Sequence, residues 1–311
     1  MGSGLRGRDL LSMEDLSREE ILEILDLASQ LKREQRVRRP HRLLRGRTLA
    51  LIFEKPSLRT RVTLEVAMRQ LGGDVVSLTQ QDIGLGVRES VADVARNLSR
   101  WVDGIAARVF SHRTLEDLAR AAEVAVINAL SDREHPCQTL ADLLTIREKF
   151  GTFQGTVVAW VGDGNNVCHS LLLGGVKVGL SLRVATPEGY EPDRTILEAA
   201  RNYGERTGAR ILLTHRPEEA VRGAQVVYTD VWTSMGQEAE REKRRRAFAG
   251  FQVNEALLAH SPEALVMHCL PAHRGEEITD AVLDGPRSVV LDQAENRLHV
   301  QKALLALVLG G

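Results

Sequence analysis

The chain has 311 residues, 43% of them hydrophobic and 27% charged. It is therefore neither a disordered nor a collagen-like polymer, and it is long enough for two domains of about 150 residues each. Lys and Arg total 41 against 42 Asp and Glu, a formal net charge of -1, so no global positive field exists to hold nucleic acid or an anionic membrane.

Short apolar runs predict strands at 48–53, 75–78, 105–110 and 124–128, and again at 157–161, 182–185, 211–213, 226–228, 265–267 and 289–291. Most are continuous rather than alternating, the pattern of strands buried on both faces of a parallel sheet. Between them lie helical segments. Ser90-Val91-Ala92-Asp93 has the capping-box pattern, and Val91, Val94, Ala95, Leu98 and Trp101 follow at helical spacing. Alternation of this kind predicts an α/β fold of two doubly wound domains, each with a central parallel sheet flanked by helices. The helical segment 138–149 ends at Phe150-Gly151, after which the pattern restarts, and 295–309 predicts a terminal helix ending at Gly310. The basic run 243–246 follows Glu238, Glu240 and Glu242 and reads as a solvated, ion-paired helix face.

The three cysteines, Cys137, Cys168 and Cys269, are an odd number without CxxC spacing, which argues against a disulfide framework or a thiolate zinc site. Residues 1–16 lack the apolar core of a signal peptide, and no uncharged apolar run approaches the ~18 residues of a membrane span. A cytoplasmic location is expected.

Five segments carry chemistry. Ser57-Leu58-Arg59-Thr60-Arg61 follows the first strand and opens a helix. Free N–H groups, hydroxyls and guanidinium suit phosphate oxygens, and two arginines in a first turn oppose the helix dipole, which a purely structural turn would avoid. His135-Pro136-Cys137-Gln138 follows a strand at the carboxyl side, where open α/β sheets bind ligands. Alone it reads equally as a capping or packing histidine. Gly162-Asp163-Gly164-Asn165-Asn166 resembles the start of a dinucleotide fingerprint but has Val167 at the third glycine position and no acid after the next strand, which speaks against a dehydrogenase and makes Asn166 a contact to a small ligand. Asp230, with Ser234-Met235-Gly236 downstream, could hold an ammonium group or merely cap a turn. His268-Cys269-Leu270-Pro271 places a thiol at a strand end; one thiolate with two histidines matches no familiar zinc pattern.

In this order the segments closely resemble the ornithine carbamoyltransferase family, within the aspartate/ornithine carbamoyltransferase superfamily. S-x-R-T-R appears at 57–61, HPxQ at 135–138, the acceptor turn at 162–166, the SMG loop at 234–236 and HCLP at 268–271. Arg108 lies where the family places a carbonyl-polarising arginine, and Glu295-Asn296-Arg297 matches the closing motif. The resemblance implies a carbamoyl-phosphate domain (1–140, joined by a C-terminal helix, 295–311, packing back on it) and an ornithine domain (141–294). It implies transfer of the carbamoyl group to the δ-amine of L-ornithine, giving L-citrulline and phosphate, with no cofactor and no metal. Carbamoyl phosphate would meet Ser57, Leu58, Arg59, Thr60, Arg108, His135, Gln138, Cys269, Leu270 and Arg297. Ornithine would meet Asn166, Asp230, Ser234 and Met235, and the catalytic set would be Arg108, His135, Asp230 and Cys269, the thiol favoured as thiolate by adjacent cations. A homotrimer or assembly of trimers is implied, with loop 80–89 reaching a neighbouring subunit. Alternatives are a transferase for putrescine or N-acetylornithine and a catalytically silent binding relative.

Overall fold

The computed structural model describes residues 4–234 and 236–310. The chain divides into two compact units, 1–144 with 296–311, and 145–295.

The first unit opens with α1 (Arg18–Arg36), whose start is fixed by a capping box between Ser17 and Glu20. Then follow β1 (Thr48–Phe53), α2 (Leu58–Gln70), β2 (Asp74–Thr79), α3 (Gln80–Ile83), α4 (Val91–Ser99), β3 (Gly104–Arg108), α5 (His112–Ala121), β4 (Ala125–Leu130) and α6 (Pro136–Phe150), along which the chain passes into the second unit. The four strands form one parallel sheet in the order β2-β1-β3-β4. Ala50, Ile52, Ile105, Ala107 and Val126 from the sheet pack with Val94, Leu98, Leu115 and Leu118 from α4 and α5. The register slips between Ala107 and Arg108, so that Ala107 faces Asn128 but Arg108 faces Leu130. Such a bulge re-aims the side chain beside it, and here that side chain is Arg108.

The second unit contains β5 (Val157–Val161), α7 (Asn166–Val178), β6 (Ser181–Ala185), α8 (Arg194–Thr207), β7 (Ile211–Thr214), α9 (Pro217–Val221), β8 (Val226–Thr229), α10 (Arg241–Ala247), α11 (Glu255–Leu258), β9 (Leu265–His268) and α12 (Asp280–Leu283). Its sheet is parallel in the order β7-β6-β5-β8-β9. Helix α7 is buried on every side from Val167 to Val178, as its nearly continuous apolar sequence requires. A last helix, α13 (Val290–Leu309), returns the chain to the first unit. Among the described residues no helix is long and apolar enough to cross a membrane.

Two expectations fail. The run 289–291 is not a strand: Val289 N–H donates to the carbonyl of Val266, one bridge forms at Ser288, and helix α13 begins at once. A short apolar run has too few residues to distinguish the two states. Trp101 does not continue the buried face of α4, because that helix stops at Ser99 and the indole is 71% exposed.

Candidate active site

In a parallel open sheet, ligands bind at the carboxyl ends of the strands, beside the point where strand order reverses. In the first sheet that point lies between β1 and β3, whose last residues, Phe53 and Arg108, are paired in register. Beyond β1 the chain turns into α2 with Ser57 as N-cap, its hydroxyl accepting the Thr60 N–H at 3.3 Å. No acidic residue occupies the first turn of α2, so its N–H groups and dipole face outward uncompensated by a carboxylate of their own. Leu58 is 73% exposed, leaving only its backbone to serve a ligand. The two arginines of this turn part ways: Arg61 pairs with Glu65 at 3.1 Å, whereas Arg59 lies half-buried.

Four further side chains converge here. Arg108, His135, Gln138 and Arg297 are all buried. Arg297 of α13 donates from Nη2 to Thr60 Oγ1 (2.9 Å) and from Nη1 to Gln138 Oε1 (2.5 Å), and Gln138 is held in turn by Asp142 (2.9 Å). The imidazole of His135 is pushed well below its ordinary value, first by burial and then by the Arg297, Arg108 and Arg59 guanidiniums. All three of these charged groups are cationic. Glu134, beside it, turns away to receive Ser12 Oγ and the Met13 N–H. Cys137 is inert packing: its thiol, pushed up to about 11 by burial, points at the Asn128 carbonyl. Because its pKa is lowered, His135 gains charge only well below pH 6.5. NMR of the intact protein should therefore show its ring signals unmoved as pH falls through 6.5; titration there would contradict this environment.

In the second sheet the order reverses between β5 and β8, and again both strands feed polar residues into the turn region. Gly162 takes φ +139°, and a Cβ on Gly164 would overlap the backbone of Pro192, so this tight turn needs glycine at both positions. Asn165 is the N-cap of α7. Its Oδ1 accepts the Val167 and Cys168 N–H groups, while its Nδ2 donates to Asp230 Oδ2 at 2.7 Å. Asn166, one residue on, is half-buried at the first position of α7. The other oxygen of Asp230 receives the Cys269 thiol at 2.9 Å. The thiol thus faces a carboxylate and donates to it, rather than facing the cations expected from the sequence.

Cys269 is aimed by its neighbours. His268 Nδ1 accepts the Leu270 N–H (2.8 Å), which leaves the proton on Nε2, donated to Glu277 Oε1 (3.0 Å). Leu270 takes φ +58°, a strained conformation for a γ-branched residue that this bond holds in place. Gln293 accepts the His268 N–H (3.0 Å) and donates to Tyr228 Oη (2.9 Å). Although ligand atoms of Asp230, His268 and Cys269 lie within 4.8 Å of one another, both imidazole nitrogens of His268 are already engaged. Replacing Gln293 by leucine is expected to lower the melting midpoint by several degrees, because it removes the hydrogen bonds Gln293 makes to two buried groups; an unchanged midpoint would contradict this.

Ser234 lies in the loop after β8, where its N–H meets Gln237 Oε1 at 3.1 Å; Met235 lies outside the described residues. The structure thus gathers Ser57, Arg59, Thr60, Arg108, His135, Gln138 and Arg297 in the first unit, and Asp230, Cys269, Leu270 and Asn166 in the second. Sequence reasoning missed Asn165, Glu277 and Gln293. Asn165 alone carried a local signal, as an Asn–Asn pair opening a helix where N-caps favour asparagine.

Residues 8–148 match the family model of the aspartate/ornithine carbamoyltransferase carbamoyl-P binding domain, and residues 154–308 match that of the Asp/Orn binding domain. An anabolic ornithine carbamoyltransferase of Pyrococcus furiosus is 58% identical over 308 residues, 99% of this chain and 98% of its own length. The ornithine carbamoyltransferase of Carboxydothermus hydrogenoformans is 56% identical over the whole of both chains. The solved Pyrococcus furiosus structure superposes with a TM-score of 0.97 at 57% identity, covering 100% of this chain and 99% of that one.

Proposed function

The chain belongs to the aspartate/ornithine carbamoyltransferase family, and we propose from this premise that it moves the carbamoyl group of carbamoyl phosphate to the δ-amine of L-ornithine. The observation that carries the donor half is the convergence of Arg59, Arg108 and Arg297 on a neutral His135, beside a helix N-terminus free of acid. Three guanidiniums acting on one buried side chain suit an anion of high charge density, and phosphate is such an anion.

In this reading the δ-amine lone pair attacks the carbonyl carbon, the bond to the phosphate oxygen breaks, and phosphate leaves with that electron pair. Negative charge grows on the carbonyl oxygen and on the departing phosphate. Ser57, the Leu58 backbone, Arg59, Thr60 and Arg297 receive the phosphate; Thr60, Arg108 and His135 polarise the carbonyl; Gln138 holds the carbamoyl NH2. Fixed positive groups stabilise that charge without reorganising. Asp230 binds an ammonium of ornithine, Asn166, Ser234 and the Met235 backbone take its α-amino acid end, and Cys269, paired with Asp230, lies on the path of the proton the amine loses. The carbamoyl donor is already activated, so the reading calls on no cofactor. It also places the protein in the cytoplasm, in arginine biosynthesis, as a homotrimer or assembly of trimers in which loop 80–89 reaches a neighbour. Light scattering of the active enzyme should give a multiple of three chains.

The test is release of inorganic phosphate from carbamoyl phosphate by the purified protein. Release at a rate that saturates with L-ornithine supports the reading. Release indifferent to ornithine, or none, overturns it.

A further inference from the structure

The basic run 243–246 is not the uniform solvated face its sequence predicts. Arg245 and Arg246 are exposed and pair with Glu242, but Arg244 is 7% exposed. Its Nη1 donates to Asp163 Oδ2 and to the carbonyl oxygen of Trp232, both at 3.0 Å, and its Nε donates to Glu240 Oε2 at 3.2 Å. The guanidinium lies 5.0 Å over the Tyr190 ring. Tyr190 meets Phe248 edge-on at 4.8 Å, and Phe248 stacks on Trp232 at 5.8 Å. One side chain thus ties the turn after β5, the loop after β8, the residues before α10 and the segment after β6. Trp232 stands midway between Asp230 and Ser234.

A plain stabilising ion pair is a poor account of this geometry. Burial pushes the Asp163 carboxyl up to about 6 against the pull of Arg244, so the pair carries a desolvation cost that weakens its net contribution to stability. What the planar fork supplies, and an ammonium would not, is several directed bonds from one rigid group.

We propose that Arg244 is a positioning residue for the amino-acid substrate. By gripping the Trp232 carbonyl it sets the start of the loop that carries Ser234, and by gripping Asp163 it aligns that loop with the turn that carries Asn165 and Asn166. The proposal rests on the functional reading above and adds a residue to it.

Steady-state kinetics of Arg244→Gln, Arg244→Lys and Asp163→Asn tests it. Arg244→Gln should raise KM for L-ornithine about tenfold or more, with KM for carbamoyl phosphate within about twofold and kcat changed less than the ornithine KM. Lysine should fall between. Asp163→Asn keeps an amide oxygen for Arg244 and leaves the Trp232 contact intact, so it should raise the ornithine KM less than Arg244→Gln does. An unchanged ornithine KM, equal shifts in both KM values, or Asp163→Asn matching Arg244→Gln would overturn the proposal. Should circular dichroism show Arg244→Gln unfolded, Arg244→Lys carries the same test. A wild-type enzyme that makes no citrulline from ornithine would instead sink the functional reading itself.

Discussion

Replacing Arg108 by alanine should lower kcat by about 10²-fold or more, with a smaller change in KM for either substrate. Arg108 closes β3 at the switch point of its sheet, is buried, and is re-aimed by a bulge in the neighbouring register. It acts on His135 together with Arg297 and Arg59. A donor fixed in a dry site before charge develops is worth far more in the transition state than in the ground state, and losing one such donor costs about 10² to 10³ in turnover. Lysine in its place keeps the charge but loses the fork, and should recover only part. An Arg108→Ala enzyme within about threefold of wild type would remove Arg108 from the chemistry.

The second large effect belongs to Asp230. Both of its oxygens are engaged, one by Asn165 at 2.7 Å and one by the Cys269 thiol at 2.9 Å. Asn165 is itself anchored by two N–H groups of α7, so the carboxylate is held from a rigid helix end. Asp230→Asn keeps the size and removes the charge that an ammonium group would seek. Loss of one partner from a buried, hydrogen-bonded charge contact predicts about 10²-fold or more off kcat/KM for ornithine. The donor side should be spared: binding of carbamoyl phosphate, measured by calorimetry, should be unchanged. Weakened carbamoyl phosphate binding, or an unaffected ornithine kcat/KM, would contradict the assignment. Cys269→Ser should be milder, since a hydroxyl can still donate to Asp230.

The parts of the fold that could be read in the sequence are those whose cause is local. Strands buried on both faces announce themselves as continuous apolar runs, and polar turns with glycine, proline or capping residues mark their carboxyl ends. Hence Ser57 to Thr60, His135, Gln138, Asp230 and Cys269 stood out before any coordinates. Residues whose role is set by distant contacts left no such mark. Arg244 lies 81 positions from Asp163 and sits in a run of four basic residues, three of which have nothing to hide. Gln293 and Glu277 read as ordinary polar residues because what distinguishes them is the buried His268 they meet, one at its backbone N–H and the other at its ring. The run 289–291 failed for the opposite reason. Its pattern is truly ambiguous, and a single bridge to Val266 decides where pairing stops and helix begins.

The most direct measurement is the initial rate of citrulline formation from carbamoyl phosphate and L-ornithine, with putrescine, N-acetylornithine and aspartate run as parallel acceptors. Strong turnover with ornithine alone is the predicted result, since Asp230 and the Ser234 loop are read as selecting both ends of that one molecule. Carbamoylation of a different acceptor in its place would contradict the acceptor assignment, and inactivity of the folded protein with all four would contradict the account as a whole.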